Sequence, residues 1–371
     1  MRLLVTVTPH GFGHAAQTAV VINALRQRLS GLTLSVHTTV PRRFLEERIR
    51  GPFEYVARAT DFGLRMTSAL QVDLEASAQD YLKLHRDWQR QVEGEAAAIR
   101  AWQPDLVLSN VAYLPLAAAQ RLGVPGIALC SLNWAGIYRH YFARRPEAAA
   151  ILEQMETAYN SAEAFLVPQP SMAMPELVNP VPIGCLARLG QQRRAQLRRR
   201  LGASRDERLV LVSLGGTQSA VPLQPWPALD GIRWIVPAAW NLERPDICSF
   251  ESLGWSFTDV LRSSDGLLGK CGYGTVCECA CNGTPLFYFP RPDWPEERVL
   301  LDWLQNHGRC QLLPRDPRRT EDIRAALERC WARPAPARPQ AAGASEAAEL
   351  VARLGGGQAL CGMSGCTQKW Q

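Results

Sequence analysis

Residues 3–15 read LLVTVTPHGFGHA: a strand-length apolar run, a proline that stops it, and a glycine-bearing turn that opens an amphipathic segment from Ala15 to Arg28. Strand, loop and helix in that order are the repeating unit of an α/β sheet. Another strand is predicted at Leu32–Thr38, followed by a long helical pattern from about Val72 to Trp102 that ends at Pro104 and Asp105. Leu106–Ser109 reads as a short strand, Leu114–Arg121 as a helix and Gly126–Cys130 as a further strand after Val124 and Pro125. This alternation predicts a parallel sheet covered on both faces.

The pattern then lapses and resumes. From Val167 to Pro182 periodicity is lost among Pro168, Pro170, Pro175, Pro180 and Pro182, the best candidate for a linker. A basic helix follows, and then strands at Leu209–Leu214, Ile232–Val236, Gly266–Leu268 and Leu286–Phe289, with helical segments near Thr258, Thr275, Glu296 and Glu321. A second connector is expected from Trp331 to Ala342, a short helix at Ser345–Leu354, and a Gly-rich, poorly ordered tail. The predicted domains are therefore 1–180, 181–335 and an appended 336–371.

The size agrees: 371 residues make roughly two domains at about 150 each. With 47% hydrophobic residues, 20% charged and a net charge of +6, disorder of the whole chain is excluded. The longest apolar runs fall far short of the ~20 residues that span a bilayer, and no signal-type start is legible, so a cytoplasmic protein is expected. Eleven cysteines, an odd number, point to reduced thiols. Cys271, Cys277, Cys279 and Cys281 resemble a metal cluster by composition, but side chains two apart on a helix do not share a face, so packing is the expectation and no metal is predicted. Cys361 and Cys366 in the tail are equally weak. Arg193, Arg194, Arg198, Arg199 and Arg200 form either a solvated face or a patch for anionic lipid headgroups. Without interleaved aromatics they do not suggest nucleic acid.

Three loops carry the candidate chemistry. His10 and His14 flank a glycine turn at the carboxyl end of the first strand, where open α/β sheets place ligands. An imidazole at a helix start tends to stay neutral and can act as a base. Gly215, Gly216 and Thr217 follow another strand and offer donors to a phosphate. In Lys270, Cys271, Gly272, Tyr273, Gly274 and Thr275 a lysine, a hydroxyl and a helix start converge, which suits a diphosphate, and Glu278 lies one turn further on, where it would accept ribose hydroxyls.

Lys270 to Glu278 is similar to the nucleotide-binding signature of UDP-glycosyltransferases, with further likeness at Pro285 and at Asp293 to Glu297. His10 to Ala15 and Leu268 to Val276 look still more like the glycosyltransferase-like N-terminal region of L-arabinokinases and its bacterial stand-alone relatives. The peptidoglycan N-acetylglucosaminyltransferase is a more distant likeness. The resemblance covers roughly residues 1 to 330 and implies a GT-B architecture: two Rossmann-like, doubly wound parallel-sheet domains facing a central cleft. It implies an inverting, metal-independent glycosyltransferase without a cofactor, with the acceptor on the N-terminal side and a nucleotide sugar, UDP-linked by family likeness, on the other. His14 or His10 would be the base, the two glycine loops would hold the diphosphate, Glu278 the ribose, and Glu296 and Glu297 the donor sugar.

One position departs from the pattern. Where many relatives carry an Asp that orients and charges the catalytic His, this chain has Asn110, which orients an imidazole without stabilising its cation as a carboxylate does. Slow transfer, a different acid partner such as Asp105, a non-catalytic nucleotide-sugar-binding or regulatory protein, and a nucleotide-sugar epimerase are the alternatives this leaves. The acceptor is not legible; the aromatic region Trp134 to Phe142 lines either a pocket or the core.

Overall fold

The first strand, β1 (Arg2–Val7), is buried from its second residue onward and sits in the middle of a sheet. The computed structural model describes residues 1–68, 70–214, 225–314, 316 and 319–356. In chain order the first half continues with α1 (Gly13–Arg28), β2 (Thr33–His37), α2 (Arg42–Arg48), β3 (Glu54–Val56), β4 (Met66–Ser68), β5 (Gln71–Val72), α3 (Leu74–Arg86) and α4 (Trp88–Trp102). It goes on through β6 (Leu106–Asn110), α5 (Leu114–Leu122), β7 (Gly126–Leu129), α6 (Trp134–Phe142), α7 (Ala148–Asn160), β8 (Ala164–Pro168) and β9 (Pro180–Ile183). Seven of these strands pair in parallel in the order β3-β2-β1-β6-β7-β8-β9.

The second half holds α8 (Arg194–Leu201), β10 (Arg208–Ser213), β11 (Ile232–Val236), β12 (Ile247–Ser249), α9 (Phe257–Ser263), β13 (Gly266–Lys270) and α10 (Tyr273–Asn282). After these come β14 (Leu286–Phe289), α11 (Glu297–His307), β15 (Cys310–Leu312), α12 (Thr320–Ala332) and α13 (Gly343–Gly355). Its six strands are again all parallel, in the order β12-β11-β10-β13-β14-β15. Fully buried strands such as β6 show why the apolar runs are continuous: helices cover both faces.

Both sheets reverse their strand order once, between β1 and β6 and between β10 and β13. Ligands bind in the crevice at such switch points, beyond the carboxyl ends of the strands. The histidine loop follows β1, Asn110 ends β6 opposite Val7, and Lys270 ends β13. The topology therefore puts the histidine loop and the Lys270 loop each at the carboxyl edge of its sheet, beside the switch point.

Two local expectations are corrected. The pattern from Val72 to Trp102 is two helices, α3 and α4, broken at Asp87, where Trp88 turns to stack on His85 with ring centroids 5.2 Å apart. His85 is drawn inward by Tyr113 Oη at 2.8 Å and Gln154 Oε1 at 2.7 Å. The Pro-rich segment is no free linker, since it contains the end of β8 and the start of β9. Pro180 and Pro182 are accommodated because β9 lies at the sheet edge, where a missing N–H removes no ladder bond on the open side. The chain crosses to the second sheet only after Ile183. α13 then returns to the first half, where Glu346 Oε2 accepts from the Gly184 N–H at 2.7 Å and Ser345 Oγ accepts from Arg28 at 2.9 Å.

Among the described residues no helix is long and apolar enough to cross a membrane. One apolar cluster runs through both halves, from Leu3, Val5 and Ile22 to Leu211, Val276 and Val351. Cys271, Cys277, Cys279 and Cys281 are free and buried in it, and burial pushes the thiols of Cys271, Cys277 and Cys279 up. Among the described residues no group of three His, Cys, Asp or Glu side chains is placed to hold a metal ion. The basic run is partly engaged: Arg194 and Arg198, with Arg208 of β10, reach the buried Asp265, and Arg200, itself exposed, donates to the Ser252 carbonyl at 3.0 Å. Arg199 is exposed.

Candidate active site

The turn after β1 needs glycine once for conformation, at Gly11, whose φ of +73° is left-handed. It delivers His14 to the first turn of α1, 7% exposed. His14 Nδ1 lies 2.9 Å from Asn110 Oδ1. The amide of Asn110 donates through Nδ2 to the His14 carbonyl at 3.3 Å and to Gln17 Oε1 at 3.0 Å, which leaves Oδ1 as acceptor. Nδ1 therefore carries the proton and Nε2 the lone pair. Burial holds His14 neutral, lowering its pKa to about 4 against the weaker opposing effect of the Asn110 bond.

These bonds continue in one direction across the molecule. Gln17 Nε2 donates to Ser131 Oγ at 3.4 Å, and Ser131 Oγ donates to Glu296 Oε1 at 2.6 Å. Glu296 Oε2 accepts from Trp294 Nε1 at 3.4 Å. An acceptor-only carboxylate at the far end thus fixes the polarity of every donor back to Asn110. The loop carrying Trp294 and Glu296 follows β14, so the relay joins the base candidate to the second half. Tyr141 Oη donates to the Asp293 carbonyl of the same loop.

His10 stands apart chemically. Its Nδ1 accepts weakly from the Leu64 N–H at 3.5 Å, which places its proton on Nε2 and makes it a donor toward the cleft. The ring stacks on Trp294, centroids 5.7 Å apart and 9° from parallel, and meets the edge of Trp134 at 5.5 Å. Burial holds its pKa well below the usual value, helped by the charges of His14, Lys270 and Arg291. That mutual influence brings groups from both halves to one place. Gly63 beneath it has φ +67°, and a Cβ there would come within 2.7 Å of Trp134 and 3.0 Å of the His10 Cβ.

On the opposite wall, Lys270 ends β13 and Gly272 caps α10. Gly272, Gly274 and Thr275 are partly exposed, and a Cβ on either glycine would meet nothing within 4 Å, so the first turn of α10 is open to an approaching anion. Burial, then the neighbouring Arg291, lowers the Lys270 pKa to about 8. Tyr273 is buried instead, its hydroxyl accepting from the Leu186 N–H at 2.9 Å and donating to the Gln169 carbonyl at 3.0 Å, a strap between the halves. Gly215, Gly216 and Thr217 lie outside the described residues.

The acidic candidates are all engaged. Glu278 Oε1 pairs with Arg48 of α2 at 2.9 Å, both side chains largely buried, 7% and 11% exposed. Glu296 ends the relay, and Glu297 receives the Arg291 backbone N–H on both oxygens at 2.7 and 2.9 Å. Asp105 accepts from the Arg2 N–H at 2.7 Å, at the other end of β1 from His14, and is no partner for the imidazole. Trp134 and Tyr138 of the aromatic region are core residues, fully buried.

Sequence reading missed two residues. Arg291 is 5% exposed, its guanidinium 4.4 Å above the Trp294 ring, and its only signal was a position just past β14. Asp61 lies in a loop with no motif; it accepts from Thr8 Oγ1 at 2.6 Å, its Oδ1 is buried without a partner, and burial raises its pKa to about 7.

No protein-family model matches the chain. It is 28% identical over 306 residues to L-arabinokinase of Arabidopsis thaliana, covering 81% of this chain and 29% of that protein. It is 25% identical over 284 residues to an uncharacterized glycosyltransferase of Methanopyrus kandleri, covering 70% of this chain and 79% of the other. Among solved structures, Arabidopsis thaliana UGT89C1 complexed with UDP superposes with a TM-score of 0.57 at 16% identity, over 95% of this chain and 99% of that one. The fold is GT-B, shared with glycosyltransferases.

Proposed function

We propose that this GT-B chain is an inverting glycosyltransferase that moves a sugar from a nucleoside diphosphate, uridine by resemblance, to an acceptor hydroxyl without a metal ion. One observation carries the reading: a buried, neutral His14 with its lone pair on Nε2 and a half-buried Lys270 that no described ion pair engages both act electrostatically on His10. A single displacement accounts for both. The acceptor O–H proton passes to His14 Nε2 as the acceptor oxygen bonds to the anomeric carbon from the face opposite the leaving group, which inverts that centre. The bond to the departing phosphate oxygen breaks, and Lys270 with the open N–H groups of α10 takes up the charge.

Asn110 holds Nδ1–H throughout and orients the ring. Glu278, fixed through Oε1 by Arg48, would offer Oε2 to the ribose. Gly215, Gly216 and Thr217 would complete the diphosphate site. As the chain spans 29% of the length of L-arabinokinase, that protein's activity is not carried over.

Asn110 favours a second reading, a nucleotide-sugar-binding protein without turnover, because a neutral amide gives the imidazolium no counter-charge. Incubation with a panel of UDP-, GDP- and dTDP-sugars plus acceptor extract separates the two. Release of nucleoside diphosphate that is lost in His14→Ala, with nucleotide affinity retained, supports transfer. Tight binding with no turnover refutes it. Activity should also survive EDTA.

A further inference from the structure

The corner of the cleft that should hold the donor sugar is built with the wrong charge for a neutral hexose. A plain sugar offers hydroxyls, which carboxylates and amides receive. Here both resemblance-derived carboxylates are spent: Glu296 on Ser131 and Trp294, Glu297 on the Arg291 backbone N–H. Beside them lies a buried cation. Arg291 is 5% exposed, its Nε is buried without a partner, and no described hydrogen bond or ion pair engages its guanidinium. Its neighbour is a second cation, Lys270, and each acts electrostatically on His10.

Arg291 is buried and Lys270 half-buried beside it; the Glu297 and Glu296 carboxylates offset the burial of Arg291 electrostatically, but no described ion pair reaches its guanidinium, so a further anion would be favourable there. Lys270, on the strand leading into α10, is placed for the diphosphate. Arg291 is placed one strand further along the sheet, after β14, and its backbone is clamped by Glu297 while its guanidinium carbon lies over the Trp294 ring, 4.4 Å from the centroid. A guanidinium held over a ring in this way has little freedom to lose on meeting a planar carboxylate, which it grips with two parallel N–H bonds.

We infer that Arg291 reads a carboxylate on the transferred sugar, so that the donor is a nucleotide-linked uronic acid. The inference rests on the glycosyltransferase reading above. It assigns Arg291 to substrate selection and leaves Lys270 with the phosphates. The indole of Trp294 serves as the floor that keeps the fork in plane and links it to the His10 ring.

Calorimetry of the intact protein with UDP, UDP-glucose, UDP-galactose, UDP-glucuronate and UDP-galacturonate tests this. One uronate should bind at least about tenfold more tightly than its neutral counterpart, as expected for a charge-assisted bidentate contact. Arg291→Gln should erase that preference while UDP itself binds as before, which also shows that the variant is folded; Arg291→Lys should retain only part of it. Equal or weaker binding of both uronates, or an Arg291→Gln loss shared equally by UDP, overturns the inference and leaves the glycosyltransferase reading standing. Failure of UDP and every UDP-sugar to bind the unmodified protein overturns both.

Discussion

Asn110→Asp, the substitution that would restore the carboxylate seen in many relatives of this fold, should destabilise this protein. Asn110 Nδ2 donates to the His14 carbonyl at 3.3 Å and to Gln17 Oε1 at 3.0 Å, and the site is fully buried. Aspartate replaces that donor with an oxygen facing two oxygens. The two lost bonds cost about 0.5–1.5 kcal/mol each, and the unpaired buried carboxylate oxygen adds to this, for a total of about 2–4 kcal/mol. Gln17 cannot turn its amide to compensate, because Ser131 would then have to donate to Gln17 while Glu296, an acceptor only, still requires the same hydroxyl hydrogen at 2.6 Å. Glu296→Gln supplies a donor at that end and lets the whole relay reverse. The pair of substitutions should therefore lose at least about 1 kcal/mol less than the sum of the singles in a double-mutant cycle by urea unfolding near pH 7.5. The single Asn110→Asp should also raise the His14 pKa from about 4, read by NMR titration of the ring. An Asn110→Asp protein as stable as the native one, or singles that simply add, would refute the directed relay.

Transfer should be insensitive to pH from about 5.5 to 7, should fall as pH drops through about 4, where Nε2 takes up a proton, and should fall again as pH rises through about 8, where Lys270 loses its charge, as initial rates in mixed buffers will show. Burial lowers His14, His37 and His85 each to about 4 and His10 well below the usual value near 6.5, while it raises Asp61 to about 7; the four imidazoles outweigh that one carboxyl, so between about 4 and 6.5 the unfolded chain binds more protons than the folded one. Stability should thus fall as pH is lowered from about 6.5 and level off below about 4, with about two to three protons taken up on unfolding near pH 5; a pH-independent urea midpoint across that window contradicts it. Arg48→Met strands the Glu278 carboxylate and should cost about 3–5 kcal/mol, most of it recovered by adding Glu278→Gln. Equal loss in Arg48→Met and in the pair would show that packing of Arg48 over Phe44, not charge, matters there.

The sequence made the strand-loop-helix units visible because a buried parallel strand is a continuous apolar run, and a loop that ends in glycines before a helix is punctuated. His14, Lys270 and Gly272 could be placed on that basis alone. Pro180 and Pro182 misled, since proline at an edge strand and proline in a linker look alike until the neighbouring strand is known. The relay was illegible for another reason: Asn110, Gln17, Ser131 and Glu296 come from four segments, and no spacing connects them. Arg291 was hidden among many arginines, most of which have ion-pair or carbonyl partners in space, and only that comparison makes it stand out.

The return of α13 to the first half brings two distant chain positions together behind the first sheet. A Cβ on Gly355 would come within 2.2 Å of Met1 Sδ, so the start of β1 and the end of α13 are side by side. They sit at the amino end of a six-residue strand whose carboxyl end feeds the histidine turn, roughly 20 Å away at about 3.3 Å per residue. The start of β1 and the end of α13 are thereby kept on the side of the sheet away from the histidine turn, so a change at either place leaves that turn untouched.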